Sequence, residues 1–378
     1  CCAKKEAMKL TCSTADLNRA LTIVSKAVPL KSSLPILTHM LLSADAGRLT
    51  VSATNLETAI SMHLEATVET PGALTVPAKL LRELISNLST DTLSLTVEKE
   101  RLSITAASHS SKINGITAED YPKLPTMPES GDYINFDPSN FSSAVSHVSF
   151  AAAVDESNPI YSGVFICHDN KVLTLAATNG FRLSEYKLPV VDAECPYFEI
   201  VIPSKTLADV ARILGSSAVP IKFVLNDSDN LALFESEKVL ITVRLLGGSF
   251  PDYKKIIPAS GSISAEFPCV ELYEAIKMSS IFTTEISDPI TLVLANSGEI
   301  KISVNSAETG EHLSSIPATV VGDLTVSFNQ KFLQEFFSNV KYPKVRIETN
   351  GNTSPCLLKP LESDVQFLHI LMPLKINE

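Results

Sequence analysis

The stretch Pro203-Ser204-Lys205-Thr206-Leu207-Ala208-Asp209-Val210 has two counterparts in the chain. One lies 126 residues earlier, as Pro77-Ala78-Lys79-Leu80-Leu81-Arg82-Glu83-Leu84. The other lies 126 residues later, as Asn329-Gln330-Lys331-Phe332-Leu333-Gln334-Glu335-Phe336. Lysine, leucine, an acid and a large apolar residue recur at the same offsets. A period of this size implies three similar domains rather than a solenoid of short repeats.

Each copy predicts an amphipathic helix. In the first, Leu81, Leu84, Ile85 and Leu88 share one face, and Lys79, Arg82, Glu83 and Ser86 the other. The second turns Leu207, Val210 and Leu214 inward, with Lys205, Asp209 and Arg212 outward. The third buries Leu333, Phe336, Phe337 and Val340 and exposes Lys331, Gln334, Glu335 and Ser338. Taken singly, each lysine is a solvated i,i+4 partner for Glu83, Asp209 or Glu335. Three copies at equal spacing argue for a shared role of that face.

A second helix belongs to each repeat. Ser13-Thr14-Ala15-Asp16 has the form of a capping box ahead of Leu17, Ala20, Leu21 and Val24. Asp137-Pro138 precedes Phe141, Ala144, Val145 and Val148, and Pro268 opens a helix carrying Leu272, Ala275 and Ile276. Strands are predicted between the helices. Leu49 to Asn55 and Leu173 to Asn179 match at an offset of 124, as do Pro35 and Pro159, and their alternation marks half-buried strands. Ile300 to Asn305 keeps the alternation. Met8 to Leu10 starts a first strand, and Leu93 to Val97, Ile221 to Leu225 and Val345 to Glu348 read as further strands. The phrases Asp120-Tyr121-Pro122 and Pro251-Asp252-Tyr253 close the first two repeats. Boundaries follow near Pro128 and Pro258, giving domains 8–128, 129–258 and 259–378. Residues 1–7 match nothing later and are read as an extension or remnant. Helices packed on antiparallel sheets make the class α+β.

The whole chain of 378 residues carries a formal net charge of -11, which excludes an indiscriminately basic nucleic-acid binder but not a local positive face. No apolar run approaches a membrane span, so no membrane partner is expected. The seven cysteines are scattered, without CxxC spacing, which fits a reducing, cytoplasmic setting. Cys12, Cys167, Cys269 and Cys356 are expected to be buried as small apolar residues. No nucleotide loop, HExxH or GxSxG is present, and the repeat duplicates no reactive residue. Neither catalysis, a metal nor a cofactor is expected. His39, His63 and His369 fall in strand-like segments and are read as structural or exposed.

Five motifs in register carry a likeness: Leu34-Pro35-Ile36-Leu37, Val76-Pro77-Ala78-Lys79, Ala177 to Leu183, Phe250-Pro251-Asp252-Tyr253 and Leu371-Met372-Pro373-Leu374. Together they make the chain, from Met8 on, resemble the bacterial DNA polymerase III beta subunit family, the sliding clamps. The resemblance implies a non-catalytic processivity factor: a homodimeric head-to-tail ring around duplex DNA, helices lining the hole. Its implied partners are the DNA polymerase III catalytic subunit, the clamp loader and other clamp-motif proteins of replication and repair. It implies phosphate contacts from Lys31, Lys79, Arg82, Lys205, Arg212 and Lys331, and a contact loop containing Asp155, Asn158, Pro159 and Ile160. Asn158 stands where relatives often have Arg, and no Lys or Arg lies between Pro138 and Phe150.

The resemblance also implies a pocket for short partner peptides. Its middle-repeat residues are Tyr161, Thr178, Gly180, Phe181, Arg182 and Leu183. Pro251, Lys255 and Ile256 follow, and Ile370, Met372, Pro373 and Leu374 come from the C-terminal end. Ile113 and Ile116 fall in a strand expected to pair across the dimer, where Ser111 replaces a large apolar residue. The rival reading is a peptide-binding adaptor that never encircles DNA.

Overall fold

The computed structural model describes residues 8–128, 133–155, 158–190, 196–226, 228–283, 289–306, 308–361 and 364–375. Residues 1–7, and Glu156 and Ser157 of the contact loop, lie outside that set. Among the described residues six α-helices form, two in each repeat.

Helix α1, Thr14–Val24, begins where expected: Ser13 Oγ accepts from the Asp16 amide at 3.3 Å, satisfying one orphan donor of the first turn. Leu17, Ala20, Leu21 and Val24 are buried. Helix α2, Ala78–Ser86, buries Leu81 and Ile85 and leaves Lys79, Arg82 and Glu83 in solvent. Helix α3, Pro138–Ser149, buries Phe141, Ala144, Val145 and Val148, and α4, Ser204–Leu214, buries Leu207, Val210 and Leu214. In α5, Cys269–Ser279, Pro268 is the N-cap residue rather than the first helical one. Helix α6, Gln330–Asn339, is capped by Asn329, whose Oδ1 accepts from the Phe332 amide at 3.3 Å. Each buried leucine or phenylalanine on these stripes contributes about 1.5–3 kcal/mol of hydrophobic stabilisation.

The described residues form two compact units, 8–138 with 212–245, and 139–211 with 246–375. In the first unit, twelve strands make one antiparallel sheet. Its organising strand is Thr58–Thr70, which pairs with Lys9–Ser13, Arg48–Thr54 and Val239–Arg244. The pair Ile60 and Ile241 therefore joins strands from two repeats. His109–Asn114 is an edge strand of this sheet.

In the second unit a nine-stranded sheet runs Phe198–Pro203, Gly163–Asp169, Val172–Thr178, Arg182–Pro189, Gln366–Leu371, Cys356–Pro360, Lys344–Thr349, Ile263–Pro268 and Thr319–Val321. A separate four-stranded sheet holds Glu299–Ser306. Here too a seam crosses repeats: Leu183 pairs with Ile370 and Arg182 with Leu371. The middle third of the chain thus supplies strands to both large sheets.

Two strands and one cysteine also differ from expectation. Arg48–Thr54 and Val172–Thr178 alternate only in their first halves. From Val51 and from Leu175 onward every residue is buried, because small side chains such as Ala53 and Ala176 let both faces be covered. Cys12, Cys269 and Cys356 are buried, and burial pushes their thiols up to about 12, 11 and 11. Cys167 is only half-buried, since it lies in the wall of a cavity.

Candidate functional site

The first wall of the site is a turn. Thr178 Oγ1 donates to the Arg182 carbonyl at 2.7 Å and accepts from the Gly180 amide at 3.1 Å. Asn179 Oδ1 accepts from the Phe181 and Arg182 amides, both at 3.0 Å. Gly180 has φ +87, a conformation that costs a side-chain-bearing residue about 1–2 kcal/mol. The first repeat builds the same turn. Thr54 Oγ1 bonds Thr58 and Leu56, Asn55 Oδ1 accepts from Glu57 and Thr58, and Leu56 takes φ +75. The second copy holds Phe181 in solvent and turns Arg182 inward.

The C-terminal segment is held against this turn by the sheet. Strand pairing places Ile370 beside Leu183, and the Met372 amide donates to the Phe181 carbonyl at 2.9 Å. A third wall is the one-turn helix Tyr253–Ile256. Tyr253 is buried and its hydroxyl donates to Glu185 Oε2 at 2.7 Å, which leaves Lys255 and Ile256 at the surface. Burial, before the charge of Glu185, drives the Tyr253 phenol far above its usual range, so it stays protonated.

These walls enclose a cavity of about 450 Å³. From the middle repeat come Thr178, Gly180, Phe181, Arg182 and Leu183. Lys255, Ile256, Ile370 and Met372 complete the residues expected there. Ile257, Pro258 and Pro355 also line it and were missed. The first two simply continue Lys255-Ile256. Pro355 precedes the strand Cys356–Pro360, which reaches the site only through its pairing with Gln366–Leu371. The remaining four stand elsewhere. Tyr161 is half-buried, its carbonyl accepting from the Ala153 amide at 2.8 Å. Pro251 lines a separate cavity of about 650 Å³ with Phe165 and Cys167. Pro373 is half-buried outside the lining, and the Leu374 amide donates to the Ser327 carbonyl at 2.7 Å.

Arg182 is the buried charged residue of the lining. Its side chain is 3% exposed, and Nη1 donates to Glu335 Oε2 at 2.5 Å. Nη2 donates to the Phe150 carbonyl, and the guanidinium lies 4.5 Å from the Phe332 ring centroid. Desolvation lowers its proton affinity, but the Glu335 pairing opposes the shift and the group remains charged.

The basic residues expected to meet phosphate have mixed settings. Lys31, Lys79 and Lys205 are exposed, as is Arg212 at the end of α4. Arg82 is exposed and donates to Ser25 Oγ at 3.3 Å. Lys331 Nζ lies 3.9 Å from Glu335 Oε1. Asp155, Asn158 and Pro159 are exposed, whereas Ile160 packs against the core beside Phe165 and Leu183. On the edge strand, Ile113 is buried. Ile116 bonds Thr75 through both backbone groups, at 2.9 and 3.0 Å, so the open edge is the strand before it. Among the described residues, no group of three or more His, Cys, Asp and Glu could hold a metal ion.

Three family models cover the chain in order. The DNA polymerase III beta subunit N-terminal domain matches residues 8–125, the central domain 135–252 and the C-terminal domain 254–375. The chain belongs to the DNA polymerase III beta subunit family. It is therefore a sliding-clamp chain of three clamp domains and a non-catalytic member of the replication machinery. The beta sliding clamp of Synechococcus elongatus is 29% identical over 376 residues, covering 98% of this chain and all of that one. The DNA polymerase sliding clamp of Bacillus subtilis shares the fold with a TM-score of 0.93 at 24% identity, covering 98% of this chain and all of its own. The beta subunit of Thermotoga maritima does so at 0.89 and 26%, with the same coverage.

Proposed function

We propose that two copies of this chain close a ring of six domains, with boundaries near Pro128 and Pro258 in each chain, around duplex DNA. The observation that carries this reading is the threefold helix with a basic outward face, on a chain whose every third matches a beta-subunit domain. Head-to-tail contacts close only if the rotation per unit is right, and near-equivalent domains supply near-equal rotations. Lys31, Lys79, Arg82, Lys205, Arg212 and Lys331 face phosphate, and the loop with Asp155, Asn158, Pro159 and Ile160 approaches the same duplex. Phosphate contacts carry no sequence information, as sliding requires. The open edge strand His109–Asn114 supplies one half of the dimer contact, held in place by buried Ile113 and by the pairing of Ile116 with Thr75.

The cavity around Arg182, Ile370 and Met372 takes the apolar anchors of partner peptides, from the polymerase catalytic subunit, the clamp loader and other clamp-motif proteins. Met372 gives an adaptable wall and Gly180 a close backbone approach. The ring works in the cytoplasm, where its free thiols stay reduced. The test is topological. After loading, the protein stays on nicked circular duplex at moderate salt and leaves when the circle is cut. Equal retention on circular and linear DNA, with peptide binding intact, would leave only the adaptor reading.

A further inference from the structure

We infer that Glu335, which does not line the cavity, is the positioning residue of the peptide pocket and ties it to the DNA-facing side of α6. The inference rests on the pocket and helix-face assignments proposed above.

Glu335 is shared between two cations. Oε2 holds buried Arg182 at 2.5 Å, and Oε1 lies 3.9 Å from Lys331, one helical turn earlier. Arg182 is 3% exposed, Lys331 42% and Glu335 32%, so one carboxylate spans from cavity wall to solvent. Arg182 has few other anchors: Nη2 donates to Phe150, while Nε is buried and makes no hydrogen bond among the described residues. A buried guanidinium in that state depends on its one anionic partner for its place. Phe332, also on α6, stacks on the same guanidinium, so the helix grips it through a charge and a ring.

The sign of the coupling follows. A phosphate that engages Lys331 draws the ammonium away from Glu335 and repels the carboxylate toward Arg182. Both effects tighten the Arg182–Glu335 pair. A wall already fixed loses less freedom when a peptide binds, so the peptide binds more tightly. Linkage makes the effect reciprocal: a peptide seated on the fixed wall strengthens retention on DNA.

The experiment titrates a labelled short peptide with leucine and phenylalanine anchors into the full-length protein and five variants: Lys331→Gln, Glu335→Gln, Glu335→Asp, the Lys331→Gln/Glu335→Gln pair and Met372→Ala. Lys331→Gln imitates the loss of the lysine charge to phosphate and tightens binding about threefold. Glu335→Gln weakens it about fivefold, and Glu335→Asp, which keeps the charge, recovers part of that. In the Glu335→Gln background, Lys331→Gln has no effect, a non-additivity that general loss of stability would not produce. Nicked circular duplex tightens binding to the unmodified protein but not to Glu335→Gln. Equal effects of Lys331→Gln in both backgrounds, or a Glu335→Gln affinity like that of the unmodified protein, overturn the inference alone. Peptide binding that does not respond to Met372→Ala overturns the pocket assignment and this inference with it.

Discussion

His369 is fully buried in the strand Gln366–Leu371, its ring against Phe150 and Phe336 and its Nδ1 2.8 Å from Ser184 Oγ. Burial first, and the neighbouring Arg182 charge second, push its pKa down to about 3. The folded state therefore keeps it neutral where the unfolded chain protonates it. Its contribution to stability is complete above the ordinary histidine pKa near 6.5 and is lost as pH falls from there toward 3. By pH 5 that loss is about 2 kcal/mol relative to high pH, the slope approaching about 1.4 kcal/mol per pH unit between the two pKa values. His39, His63 and His147 are lowered by burial too and add with the same sign. Urea unfolding of His369→Gln at pH 8, 6.5 and 5 is expected to show a flatter pH dependence than the unmodified protein. Parallel profiles would mean that this ring does not set the response. Which residues matter at this scale was only partly legible. The strand position of His369 was, but its surroundings come from Phe150, just after α3, and from Phe336 on α6.

At the scale of elements, the helices were the most legible part. The cap at Ser13 and the apolar stripes of α4 and α6 are local, and the structure buries them as their spacing requires, whereas in the α2 stripe Leu81 and Ile85 are buried but Leu84 and Leu88 only half-buried. The strands were harder. Alternation located Leu49 to Asn55 but missed that its second half is covered on both faces, since burial on the second face is supplied by other parts of the chain. The edge strand His109–Asn114 offers a direct test of assembly. Ser111 is half-buried and alternates in phase with buried Ile113. Ser111→Leu extends that apolar face along an edge open to pairing and should strengthen self-association about tenfold, for about 1.5 kcal/mol of added burial. Sedimentation across a dilution series measures it. A dissociation constant that does not move would place the interface elsewhere.

For the whole molecule, the basic faces make a prediction about salt. Changing both Lys31 and Lys79 to Glu should weaken retention on duplexes of any sequence to the same degree. It should also lower the slope of log affinity against log salt by about 2, near 0.9 for each phosphate no longer neutralised. A salt slope left intact would remove both lysines from the DNA face. The sequence by itself determined the threefold repeat, the two helices of each repeat with their apolar stripes, and the family, because these rest on periodicities and motifs contained within short stretches. Only the tertiary structure decided the rest. Leu183 meets Ile370, and Ile60 meets Ile241, by strand pairing across repeats, and no local preference encodes a partner so distant in the chain. Such pairings are selected by the packing of the whole sheet after the loop-closure cost is met. The cavity, the place of Pro355 in its wall, and the carboxylate of Glu335 shared by Arg182 and Lys331 all depend on that pairing.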